Sequence, residues 1–140
     1  MIDFESHPTD TDPLKLINNI EHVRRNHDSL TLLNMMKQVS KEEAVVWGDK
    51  SIGFGQYQYL YKTGRKGKWP VISFTPSLQN ISIHVMPGLE NYDALIQKIG
   101  HVKYSGSTLI LHKFSDIKLP ALEALLKKVY YDMRKAYDCS

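Results

Sequence analysis

The sequence predicts an α+β fold: an antiparallel sheet of about five strands packed by N-terminal helices, a middle helix and a C-terminal helix. Three observations carry this expectation. Tyr57, Tyr59 and Tyr61 recur at period two within Ile52–Thr75, so in an extended strand their rings leave one face of the sheet. Leu122, Leu125, Leu126, Val129 and Met133 follow the helical period and mark a stripe for burial. The extended runs are joined by short links carrying Gly and Pro, which favour antiparallel pairing.

Taken in order, residues 1–11 are polar and small with Pro8 among them, and are expected to be loosely ordered unless Ile2 and Phe4 find a groove. Asp12 caps and Pro13 opens a first helix, because proline's missing N–H has no intrahelical partner there. Leu14, Ile17 and Ile20 lie along one face of it. Asp28 is placed to cap a second helix that buries Leu30, Leu32, Leu33, Met35 and Met36 and ends near Val39. Ser40 and Glu43 read as a capping box, predicting a short helical turn before Val45–Trp47.

The candidate strands are Ile52–Phe54, Gln56–Lys62, Val71–Thr75, Asn80–Met86 and Ser107–Lys113. Gly64 and Gly67 supply the turn of a hairpin whose second strand opens at Trp69 and Pro70. Glu90–Ile99 is a helix with Leu95, Ile96 and Ile99 inward and Gly100 as its stop. Pro120 opens the final helix.

At 140 residues the chain fits one domain, 1–140, with room for a core that needs no disulfide or structural metal. Hydrophobic residues make up 42% and charged residues 24%, values that argue against a disordered or fibrous chain. The longest apolar runs fall far short of the ~20 residues of a membrane helix, and the start of the chain lacks a signal peptide's pattern. The expectation is a cytoplasmic protein with no membrane partner. Cys139, the single cysteine, cannot build a disulfide framework or a metal cage alone. A net charge of +3 and pI near 8.9 are too mildly basic to favour nucleic acid.

Glu43–Gly48, Ile52-Gly53-Phe54-Gly55, Tyr57/Tyr59/Tyr61, Gly64-Arg65, Gly67, Trp69-Pro70, Phe74, Pro76 and Met86-Pro87-Gly88 resemble the YdhG-like family, a bacterial domain of unknown function. The likeness runs from about Asp28 to Leu126. It implies a small cytoplasmic α+β domain, related by proposal to frataxin-like iron chaperones. The chain departs from the family's pattern at three places. A common Ser-Pro-Arg-Lys turn reads Thr75-Pro76-Ser77-Leu78, and a common Gly-Lys-Ser-Cys segment reads Ser105-Gly106-Ser107-Thr108, so basic positions near Ser77, Leu78 and Gly106 are missing. Lys66 and Lys68 stand where acidic residues are usual. If the family's cations hold an anion, this chain has moved or lost that site.

Three candidate chemistries follow. The loop Lys62–Trp69 offers glycine-freed N–H groups, Arg65 and an indole to a phosphate or carboxylate, without the spacing of a P-loop. The tyrosine stripe, with His84 and His112, would form an aromatic pocket if the strands share a face. Together these define a ligand site at Tyr57, Tyr59, Tyr61, Arg65, Trp69 and His84 for a small anionic molecule. The third is iron, held by the acidic residues Asp3, Glu5, Asp10, Asp12 and Glu21, since carboxylates suit hard cations. His22 and His27 are spaced wrongly for one helical face.

No GxSxG elbow is present and the lone cysteine is terminal, so catalytic residues are not expected. The reading is a non-catalytic binding domain with no cofactor. Its alternatives are an iron chaperone, and an interaction module that buries the tyrosine face in a homodimer.

Overall fold

The computed structural model describes residues 11–47, 51–60, 66–77, 80–85, 89–100 and 102–136, of which 57–60, 66–69, 116 and 136 are described by their backbone alone. The order is α1 (Pro13–Asn18), α2 (Val23–Ser40), β1 (Ala44–Trp47), β2 (Ser51–Phe54), β3 (Tyr57–Leu60), β4 (Lys66–Trp69), β5 (Ile72–Pro76), β6 (Ile81–Val85), α3 (Asp93–Gln97), β7 (Lys103–Ser105), β8 (Thr108–Leu111) and α4 (Leu119–Ala136). Short 3-10 turns at Glu90–Tyr92 and Phe114–Asp116 precede α3 and α4. The α+β expectation holds, but β1 and β7 join the expected sheet and the expected Gln56–Lys62 strand leaves it. Six strands pair antiparallel in the order β1-β2-β5-β6-β8-β7, and β3 and β4 form a separate two-stranded hairpin.

The extra strands have local causes. Ser40 does not start a helical turn: its hydroxyl accepts the Glu42 N–H at 3.1 Å just past the end of α2. Lys41, at φ 58°, closes α2 through its N–H to the Lys37 carbonyl, and the chain enters β1 directly. Pro70 lies outside the hairpin rather than opening its second strand. With no N–H to give to the ladder, it separates β4 from β5, and β5 pairs with β2 instead. The second helix starts earlier than Asp28 because His22 caps it, Nδ1 accepting the Arg25 N–H at 3.1 Å. The middle helix is a 3-10 turn followed by a short α3, with Ile96 and Ile99 buried.

Helices cover one face of the sheet. α2 packs on α4, on β2 and on β5, while α3 packs on α4 and α1 reaches β1. The strand residues buried on this face are Val46, Ile52, Phe54, Ile72, Phe74, Ile81, Ile83, Val85, Leu109 and Leu111, which the register aligns across the sheet. The predicted α4 stripe is buried in full, as are Leu32, Leu33 and Met36 of α2. In α1 only Ile17 is buried, and Leu14 is 48% exposed because the helix is too short to bury a second residue of that stripe. Asn26 ties α1 to α2, its side-chain amide donating to the carbonyls of Ile17 and Ile20 at 3.0 and 3.3 Å. Among the described residues no helix is long and apolar enough to cross a membrane.

The opposite face is crowded at Gly53. A Cβ there would stand 2.7 Å from Pro70 Cβ and 2.8 Å from the Trp47 ring, so the glycine admits both groups against the sheet. Gly53→Ala should cost about 1–3 kcal/mol through overpacking. Urea denaturation checks this, and a midpoint equal to that of the parent would show that the crowding relaxes freely.

Candidate functional site

The strand period that builds the core also sorts the second face. Between the core residues of β5 lie Ser73 and Thr75, between those of β6 lie Ser82 and His84, and Thr108 and Ile110 alternate with Leu109 and Leu111 in β8. The register then aligns them across strands. Gly53, Ser73, His84, Thr108 and Ser105 form one row. Thr75, Ser82, Ile110 and Lys103 form the next.

Hydrogen bonds join the two rows. The hydroxyls of Ser51 and Thr75 share a bond of 2.7 Å. Thr75 Oγ1 lies 3.4 Å from His84 Nε2, and His84 Nδ1 lies 3.3 Å from Thr108 Oγ1. The result is a chain Ser51–Thr75–His84–Thr108 across β2, β5, β6 and β8. A neutral imidazole donates at one ring nitrogen and accepts at the other, so the two threonines satisfy it in opposite senses. The bonds to the ring are long and correspondingly weak.

Burial decides the charge of His84. It is 7% exposed, and desolvation pulls its pKa down from 6.5 to about 4, so the ring is neutral near pH 7. Ser73 pairs directly with His84 in the register and is 1% exposed, yet its hydroxyl has no hydrogen-bond partner among the described residues. An unpaired buried hydroxyl costs about 1–3 kcal/mol, so this position holds unused bonding capacity. Thr75, Ser82 and Thr108 are half-buried and form the accessible border of the cluster.

A base with pKa about 4 takes up a proton poorly near pH 7, and both ring nitrogens lie within hydrogen-bond reach of threonine hydroxyls. What the arrangement can do is accept and donate hydrogen bonds without carrying charge.

Of the predicted site residues, His84 is in this cluster. Tyr57, Tyr59 and Trp69 belong to the β3–β4 hairpin, where Tyr57 pairs with Trp69 and Tyr59 with Gly67. That hairpin is a separate sheet, so these positions do not share strands with His84. Tyr61 and Arg65 lie outside the described residues, as do Asp3, Glu5 and Asp10. Asp12 caps α1, its Oδ1 accepting the Leu14 N–H at 3.0 Å, and Glu21 is exposed. No group of three or more metal-ligating side chains occurs among the described residues. His112 is exposed just past β8. Ser51, Ser73, Thr75 and Thr108 were not singled out from the sequence, although the alternation of hydroxyls with aliphatics in β5 and β8 marks the face they occupy.

Two outcomes follow. The folded pKa of His84 lies below its unfolded value, so the unfolded chain takes up the proton first. The associated stability is complete above pH 6.5, falls as pH drops, and levels off below about 4. The parent should lose on the order of 2–3 kcal/mol over that window beyond what His84→Gln loses; equal losses in urea melts at both ends would show that His84 is not the responsible group. Ser73→Ala should leave stability unchanged or raise it by up to about 1 kcal/mol, since it removes an unsatisfied hydroxyl; a clear loss would mean that the hydroxyl is paired.

No family model matches this sequence, and neither a curated protein nor a solved structure matches it.

Proposed function

We propose that this chain is a non-catalytic, cytoplasmic binding domain of the YdhG-like family that holds a small anionic ligand at the second face of its sheet. The observation that carries the reading is the buried cluster around neutral His84, with bonded hydroxyls on both sides of the ring and the unpartnered hydroxyl of Ser73 beside it. Such uncharged donors orient a carboxylate or phosphate oxygen at little desolvation cost. The ligand enters over Thr75, Ser82 and Thr108, with His84 as the back wall.

The chain leaves the main sheet for the aromatic hairpin after Phe54, and on its return Pro70, with the Trp47 ring, crowds Gly53, the row neighbour of Ser73. Tyr57, Tyr59, Tyr61 and Trp69 would supply apolar walls, and Arg65 the cation that balances the ligand's charge.

Titrating isotope-labelled protein with inorganic phosphate and with citrate tests the reading. The expected result is saturable shifts at Thr75, His84 and Thr108 that weaken at least roughly tenfold in Arg65→Gln. Shifts indifferent to Arg65, or none at all, would sink it. Calorimetry with ferrous iron covers the alternative: binding lost when Asp3, Glu5, Asp10, Asp12 and Glu21 are neutralised would replace this reading with an iron chaperone.

A further inference from the structure

On the helical side of the molecule, the C-terminal end of α3, the turn Phe114–Asp116 and the first turn of α4 border an open cleft of about 730 Å³. Phe114, Ile117, Leu119 and Pro120 make its walls apolar, and Lys98 and Lys118 stand among them.

The walls are held by backbone bonds that do not involve the lysine side chains. The Lys118 N–H donates to the Ile99 carbonyl at 2.8 Å, and Gly100 bridges Ile117 antiparallel, which keeps the two lysine-bearing segments side by side. Phe114 is fixed from within, its N–H donating to the buried Asp28 carboxylate at 3.3 Å. Among the described residues neither lysine takes part in a salt bridge. Two lysines on an apolar trough complement a carboxylate, one for each oxygen, at the end of an apolar tail.

We propose that this cleft binds a small amphipathic carboxylate, its tail lying on Phe114, Ile117 and Leu119 and its head between Lys98 and Lys118. The head is a carboxylate because a doubly charged phosphate would surrender more hydration on entering between apolar walls. Burial of the tail supplies the driving force and the lysines supply the selectivity. The cleft shares no residue with the His84 cluster, so the two readings stand or fall separately.

Octanoate is the probe, with octanol as the uncharged control and inorganic phosphate as the headgroup without a tail. Titrated into the isotope-labelled full chain, octanoate is expected to shift the amides of Lys98, Phe114, Ile117 and Leu119 saturably at millimolar concentration or below, with both controls far weaker. The double variant Lys98→Gln/Lys118→Gln replaces two exposed side chains, so it should keep the parent's spectral dispersion while binding octanoate roughly tenfold more weakly. A second variant, Ile117→Ser, should weaken octanoate without changing the response to phosphate. Octanol binding as tightly as octanoate would overturn the proposal by removing the role of charge. Phosphate binding as tightly would overturn it by removing the role of the tail, and no saturable shift with octanoate would overturn it outright.

Discussion

Strand register is the constraint on which the rest of the structure depends. Ile52 opposite Phe74, Phe74 opposite Ile83 and Ile83 opposite Leu109 place an unbroken apolar surface under the helices. A slip of one residue in any of these pairs would turn Ser73, Thr75 or His84 into the helical core and expose the aliphatics that belong there. Each polar group so buried would cost about 1–3 kcal/mol, so the hydrophobic pattern and the polar row enforce the same alignment. The sheet therefore has one correct register for two independent reasons.

The helical layer is fastened to that sheet by a few directed polar contacts over a wide apolar contact. Arg25, buried in the first turn of α2, donates to the Ser77 carbonyl at 3.0 Å, joining the helix to the end of β5. Asp28, three residues on, holds the turn that precedes α4 through the Phe114 N–H. Tyr92 donates to Asp132 at 2.8 Å, and Lys128 reaches the other oxygen of that carboxylate at 3.0 Å, linking the middle of the chain to α4. The paired hydroxyl and ammonium hold the Asp132 carboxyl below its ordinary pKa, while burial and the same contact raise that of Tyr92 to about 12. These contacts orient helices that apolar burial alone would leave free to slide. Tyr130 approaches Gly55 so closely that a Cβ there would stand 2.9 Å from its hydroxyl, and Gly55 adopts φ +70° to start the excursion into the hairpin.

The second face is polar where the first is apolar. A sheet face filled with Val and Ile would be more stable than one with a serine unpartnered among the described residues and a neutral histidine held by long bonds. The polar row departs from that optimum at the place where the chain leaves the sheet for the hairpin and returns to it. Local departures of this kind collect at sites that bind something, because bonding capacity left open in the free protein is available to a ligand. The cleft beside α4 is built differently: its walls are apolar and held by backbone bonds, with exposed lysine side chains beside them.

By itself the sequence determined the fold class, the α4 stripe, the core of α2 and most strand positions, because local periodicity is set by which side chains must leave water. It also placed His84 opposite the aliphatics of β6, since alternation needs no knowledge of partners. Tertiary structure alone decided which strands pair. The Tyr57–Leu60 run looked like part of the main sheet, yet Pro70 lets β5 pass it by and join β2. Asp28 read as a helix cap because capping is local, whereas its actual partner is an N–H in a turn far along the chain. The cluster of Ser51, Thr75, His84 and Thr108 draws on four strands, and the Lys98–Lys118 cleft on two segments brought together by a backbone bond. Neither leaves a pattern along the chain, because the groups become neighbours only when register and packing set their distances.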